Sequence, residues 1–179
     1  MPHHIYIFYL IFLGLLCCKE EAFSQELQHS GRCDRKKENF SKLEKALKYK
    51  ECVKVLDIRK EKFEVLPPEI GELYNLEKLI VNNQVLKTLP PEIGKLKKLK
   101  HLFLIGNKVS ELPPEIGQLT NLEKLYLMVN DLERLPVEIT ELQNLEEIGL
   151  WGNDNLDMKN IEALREKMPH CDIITTEIR

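Results

Sequence analysis

Leucine and isoleucine recur along most of this chain in one fixed phase. Leu66, Leu89, Leu112 and Leu135 lie 23 residues apart, and each is followed by proline. The same phase is kept by Ile70, Ile93, Ile116 and Ile139, by Leu73, Leu96, Leu119 and Leu142, and by Leu76, Leu99, Leu122 and Leu145. A period of this length held without a slip marks a repeat architecture, because each unit buries its apolar side only by stacking on the next. Within one unit the pattern changes character. In LEKLYLMVN, Leu122, Leu125 and Leu127 turn inward, as strand side chains two apart share a face. Pro113 and Pro114 open a return segment that needs no ladder N–H and starts from a near-helical φ. Gly71, Gly94 and Gly117 permit the turn after it, with Thr140 in the last copy.

Asn130 closes its strand where an amide both donates and accepts within the bend, and Asn107 and Asn153 match it. Gln84 and Glu61 occupy that place in the first two units. The first is longer and the second, when ionised, only accepts, so an asparagine-type ladder is not expected to reach them.

These residues resemble the leucine-rich repeat, LxxLxLxxNxLxxLPxxIxxLxN, and in particular the LPPEIG-type units of Ras-suppressor-like, plant Ras-group and exported bacterial proteins. The resemblance runs from about Val53 to the end of the chain. It implies an α/β solenoid, a right-handed arc of about five parallel strands on its concave face with irregular or 3₁₀ segments outside. Caps are expected at both ends. Upstream, Phe40, Leu43 and Leu47 sit at helical spacing. Downstream, Asp157 is an expected N-cap, Ile161, Leu164 and Met168 form an apolar stripe, Pro169 stops the helix and CDIITT reads as an edge strand. The organisation expected is therefore a signal over 1–24, a flexible lead-in over 25–38, a helical cap over 39–52, repeats over 53–156 and a helix-strand cap over 157–179.

The first of these segments is distinct in kind. Ile5 to Leu16 is an unbroken apolar run of 12 residues, where a membrane-spanning helix needs about 20. It reads as the core of a secretory signal, with Ala22-Phe23-Ser24 as a small-x-small cleavage site before Gln25. Leu15-Leu16-Cys17-Cys18 offers an alternative, a lipoprotein-like box that would anchor the chain to a membrane through Cys17 or Cys18. Export to a secreted, periplasmic or envelope-associated location is expected, with a cytoplasmic location as the alternative. Cleavage would leave Cys33, Cys52 and Cys171, hence at most one internal disulfide, with Cys33 and Cys52 the nearer pair and three free thiols the competing state.

Composition narrows the function classes further. A chain 43% hydrophobic and 31% charged is foldable as one domain. A net charge of -3 with both signs mixed leaves no basic footprint for nucleic acid. Catalytic motifs are absent: there is no phosphate-cradling glycine loop, GxSxG, HExxH or CxxC. His101 and His170 lack the companions a metal or catalytic site needs, so neither cofactor nor metal is expected. Glu77-Lys78 and Glu123-Lys124 read as a solvated flank, each pair contributing roughly 0 to 1 kcal/mol.

The outward strand positions carry the candidate chemistry. In register, one column reads Asp57, Ile80, Phe103, Tyr126, Gly149 and the next Arg59, Asn82, Ile105, Met128, Trp151. Ile80, Phe103, Ile105, Tyr126, Met128 and Trp151 would merge into an exposed apolar patch of roughly 300 to 600 Å². Lys78, His101, Lys124 and Glu147 would form its rim. Aromatic residues and methionine are the types enriched at the centre of protein interfaces, so a protein partner bound by a monomer is expected. Three other readings compete. Cross-strand pairs reinforce a sheet by roughly 0.2 to 1 kcal/mol each without any ligand. The patch would also serve self-association in a cell envelope, or a cytoplasmic scaffold like the Ras-group proteins.

Overall fold

In a computed structural model, Cys33 and residues 38–176 are described. The signal segment with its two exits, and all of the lead-in except Cys33 and Glu38, lie outside the described residues. Cys33 and Cys52 are both disulfide-bonded, and Cys171 is a free thiol.

Equal repeat length sets the topology, because each strand meets its copy 23 residues later in the same register. The strands are β1 (Asn39–Phe40), β2 (Val55–Asp57), β3 (Lys78–Ile80), β4 (His101–Phe103), β5 (Lys124–Tyr126), β6 (Glu147–Gly149) and β7 (Asp172–Ile174). They form one parallel seven-stranded sheet in sequence order. Five of the seven, β2 to β6, belong to the repeats, and a cap strand extends the sheet at each end. Lys78, His101, Lys124 and Glu147 align across it, as do Ile80, Phe103, Tyr126 and Gly149.

Beneath the sheet the repeated leucines form one core, with Leu79, Leu102, Leu125 and Ile148 fully buried from the strands and Ile70, Ile93 and Ile116 from the returns. The returns are 3₁₀ helices, Pro68–Glu72, Pro91–Lys95, Pro114–Gln118 and Val137–Glu141. Their glycines face the next return at close range. A Cβ on Gly71, Gly94 or Gly117 would lie 2.9, 2.8 or 2.5 Å from the carbonyl oxygen of Glu92, Glu115 or Glu138. Among the described residues no further 3₁₀ segment follows Val137–Glu141, which is why threonine is tolerated at position 140.

A spine of amides binds the units where the strands end. Asn107, Asn130 and Asn153 are buried. Each accepts an N–H from the preceding unit, Leu86 at 3.3 Å, Val109 at 3.0 Å and Leu132 at 3.1 Å. Each also donates to a carbonyl of the preceding unit and to its own unit; Asn130 reaches Leu104 at 2.9 Å, Leu127 at 3.0 Å and Met128 at 3.2 Å. Contrary to the expectation from residue type, the spine continues into the first units. Gln84 accepts from Phe63 N–H at 3.1 Å and donates to the Ile58 carbonyl, its extra methylene being accommodated. Glu61 borders the cap and needs only to accept, which it does from Leu43 N–H at 2.8 Å. A second, outer row stands at the final Asn of the repeat pattern: Asn75, Asn121 and Asn144 donate to the Glu51, Lys97 and Thr120 carbonyls at 2.8, 2.6 and 2.7 Å.

The N-terminal cap departs from expectation at one residue. Phe40, placed by its spacing on a helix with Leu43 and Leu47, lies instead in β1 opposite Leu56, and its ring stacks on Tyr49 with centroids 5.8 Å apart. The helix α1 begins three residues later (Leu43–Lys48), at the N–H that Glu61 caps. Strand pairing outweighs a single extra apolar match on so short a helix. Downstream, Asp157 accepts the Lys159 N–H at 3.0 Å at the start of α2 (Met158–Lys167), and Ile161, Leu164 and Met168 are buried. Arg165 then donates to the Ile173 carbonyl at 2.7 Å, covering an edge group of β7 that β6 does not use.

Candidate functional site

Alternation buries the leucines of each strand and turns the residues between them toward the concave side. There the two predicted columns meet as contacts. Phe103 and Tyr126 pack with ring centroids 5.0 Å apart at 44°. His101 meets the edge of Phe103 at 6.3 Å, and Lys78 Nζ sits 4.8 Å from the centroid of the same ring, a cation–π distance. Gly149 leaves space that its neighbours fill: a Cβ there would collide with Met128 Sδ and lie 3.0 Å from Tyr126 Cδ1.

Ile80, Phe103, Ile105, Tyr126, Met128 and Trp151 are consequently half-buried, not fully exposed, and Lys78, His101, Lys124 and Glu147 are half-buried with them. Large side chains on adjacent strands lean on one another across a spacing of about 4.8 Å, so each shields part of the next.

One edge of this surface is polar and ordered. Tyr126 Oη donates to Glu147 Oε1 at 2.8 Å and Lys124 Nζ to Glu147 Oε2 at 3.3 Å, so a single carboxylate fixes both. Burial, followed by that hydrogen bond, pushes the Tyr126 phenol above its ordinary pKa. The bond to Glu147 likewise holds the Lys124 ammonium up. Glu123 lies 3.6 Å from His101 Nε2 and 3.5 Å from Lys100 Nζ. At the first repeat, Arg59 grips Asp57 with Nε to Oδ1 at 2.8 Å and Nη2 to Oδ2 at 2.6 Å, and this bond lowers the Asp57 carboxyl pKa. The apolar relief therefore begins after a self-neutralised pair. Asn82, the polar member of its column, accepts the Ile105 N–H at 2.9 Å and thereby serves the backbone.

Val129 is a site residue that strand alternation did not reveal. It has φ +56° and is 43% exposed, beside Met128 and against Gly152. The equivalent places hold Asn83, Gly106 and Gly152, all also at positive φ. The column N, G, V, G was thus a readable signal of a left-handed turn in every one of these units. A β-branched side chain is disfavoured there. Val129→Asn is expected to raise the unfolding free energy by about 1 kcal/mol, measured by urea denaturation. No gain would mean that the valine is unstrained.

Among the described residues no group of three or more His, Cys, Asp or Glu side chains is placed to hold a metal ion. Burial, with the charges of Asp172 and Glu147 adding to it, pushes the Cys171 thiol up to about 11, far from the range of a reactive thiolate. Among the described residues no helix is long and apolar enough to cross a membrane.

A family model described as a leucine-rich repeat region matches residues 82–168. With the stacked sheet and its asparagine spine, this makes the protein a leucine-rich repeat solenoid. A leucine-rich repeat protein of Leptospira interrogans is similar at 28% identity over 71% of this chain and 44% of that one, with a TM-score of 0.46. The plant peptide hormone receptor RGFR1 in complex with RGF2 is similar at 32% identity over 63% of this chain and 19% of that one, with a TM-score of 0.55. The ectodomain of the Arabidopsis thaliana receptor kinase GASSHO1/SCHENGEN3, in complex with CASPARIAN STRIP INTEGRITY FACTOR 2, is similar at 24% identity over 78% of this chain and 17% of that one, with a TM-score of 0.55. The chain spans less than half the length of each of these structures. No curated protein sequence matches it.

Proposed function

We propose that this protein is a non-catalytic binding module that recognises a partner protein through the concave face of its sheet. The observation that carries this reading is the row of Phe103, Tyr126, Met128 and Trp151 on the concave side, in which Phe103 packs on Tyr126, Tyr126 and Met128 close over Gly149 and Glu147 fixes Tyr126, with all four left partly exposed by the described residues. Supporting it, the similar plant structure is described as a peptide hormone receptor in complex with RGF2. The mechanism is recognition by a preformed surface. Side chains already fixed by cross-strand packing and by the Glu147 carboxylate lose little freedom on binding, so more of the contact energy appears as affinity.

Export is part of the proposal. The disulfide-bonded Cys33 and Cys52 suit an oxidising compartment, and so does the apolar N-terminal run in the sequence. The test is a pull-down from the native surroundings with wild type and with Tyr126→Ala combined with Trp151→Ala. Both substitutions remove side-chain area and leave the spine untouched. Specific partners should be lost by about tenfold or more. If a folded double variant keeps wild-type partners, the concave-face reading fails.

A further inference from the structure

The concave face is not only apolar; its charges are sorted along the arc. The aligned column across β2 to β7 reads Val55, Lys78, His101, Lys124, Glu147, Asp172. Toward its first half stands Lys78, whose ammonium rests over the Phe103 ring and has no ion-pair partner among the described residues. Toward its last half, Lys124 is engaged by Glu147, while Asp172 and the flanking Glu146 are exposed and make no ion pair among the described residues. The joint field of Asp172 and Glu147 is felt locally, since after burial it helps to hold the Cys171 thiol up.

The relief between these two ends is narrow. It is two columns wide, bounded on one side by the charged column and on the other by the left-handed turn residues Asn83, Gly106, Val129 and Gly152. A strip of that width accommodates one extended chain laid across the strands better than a broad folded surface. From β3 to β6 or β7 is three or four strand spacings, about 14 to 19 Å, and an extended chain advances about 3.3 Å per residue.

Resting on the reading proposed above, we infer that the occupant of this face is an extended segment of a partner protein with a fixed charge order. An acidic residue lies over Lys78, a basic residue lies beside Glu147 and Asp172, and about three to five residues, rich in bulky apolar side chains, stand between them. The acid completes Lys78, which has no ion pair among the described residues, without displacing it from Phe103, and the base answers carboxylates that Lys124 alone offsets among those residues. Rim charges of this kind steer encounter and set orientation more than they add affinity, so the order of charge is a device of specificity.

The probe is a library of short random peptides displayed on phage and selected on the immobilised wild-type protein. Enriched peptides should carry an acid and a base about four to six residues apart, with aromatic or aliphatic residues between. They are then measured against Lys78→Glu combined with Asp172→Lys, two surface changes outside the core and the spine. Association should slow by about tenfold at low salt, the difference should shrink at about 0.5 M salt, and peptides with acid and base exchanged should regain the loss. Enrichment of peptides with no acid–base order, no enrichment at all, or indifference to the charge exchange would each overturn the inference. Tyr126→Ala with Trp151→Ala separates the two levels. Peptides that lose binding to this pair but ignore the charge exchange leave the binding face standing and remove the charge order; peptides indifferent to both bind elsewhere and remove both.

Discussion

Replacing Asn130 by alanine is expected to lower the unfolding free energy by roughly 3–4 kcal/mol, a large share of what a domain of this size has to lose. Val109 N–H, which donates to the Asn130 amide oxygen at 3.0 Å, would be buried with no partner in its place. The carbonyls of Leu104 and Leu127 would each lose one of two bonds, because Asn107 also donates to the first and Asn153 to the second. Orphaning a buried donor costs about 1–3 kcal/mol, each weakened carbonyl adds a fraction of that, and the vacated volume adds a cavity cost. Asn130→Asp should not rescue the loss: it keeps the acceptor, removes every donation and sets negative charge against the carbonyl oxygens of Leu104, Leu127 and Met128. Asn121→Ala supplies the control, since its one bond, to the Lys97 carbonyl, is exposed and should be worth about 1 kcal/mol or less. Urea denaturation that places Asn130→Ala level with Asn121→Ala would show that the inner spine is not what couples the units.

The second large effect belongs to the outer side of the solenoid. Gly117→Ala should cost about 3 kcal/mol, the upper range of overpacking, because the new methyl would meet Glu138 at its carbonyl oxygen (2.5 Å), Cβ (2.9 Å) and carbonyl carbon (3.1 Å). Two of these atoms are backbone, so no rotamer change relieves the clash and adjacent returns must move apart. Thr140→Ala is the matched contrast. It removes only an exposed bond to the Val137 carbonyl, and among the described residues no 3₁₀ return stacks over it, so a change under about 1 kcal/mol is expected. Equal costs at 117 and 140 in thermal and denaturant unfolding would remove close stacking as the reason for glycine.

These two sites illustrate how far the amino-acid pattern reaches. The 23-residue period implied the number of repeat strands, their parallel order and their register, since equal lengths leave the chain one way to superpose its leucines. Membership of the concave columns followed from the same register, and Phe103 beside Tyr126 in the folded chain was readable from their spacing alone. Asp157 as a cap and Ile161, Leu164 and Met168 as a buried stripe were equally local, requiring only helical geometry.

Other properties depend on which atoms from separate units arrive at one point. Residue type argued against Gln84 and Glu61 as spine members, yet Gln84 reaches both partners across the bend and Glu61 meets a helix that asks only for an acceptor. Phe40 had a helical period but found a strand partner in Leu56. The six concave side chains were placed outward by alternation, whereas their half-burial arises from Met128 and Tyr126 closing over Gly149 and from rings leaning on the next strand. Period and polarity dictate which face a residue takes, because they act within a few residues of chain. Tertiary packing decides how much of that residue remains accessible and which hydrogen bonds it completes, because those depend on distances between units that only the assembled stack defines.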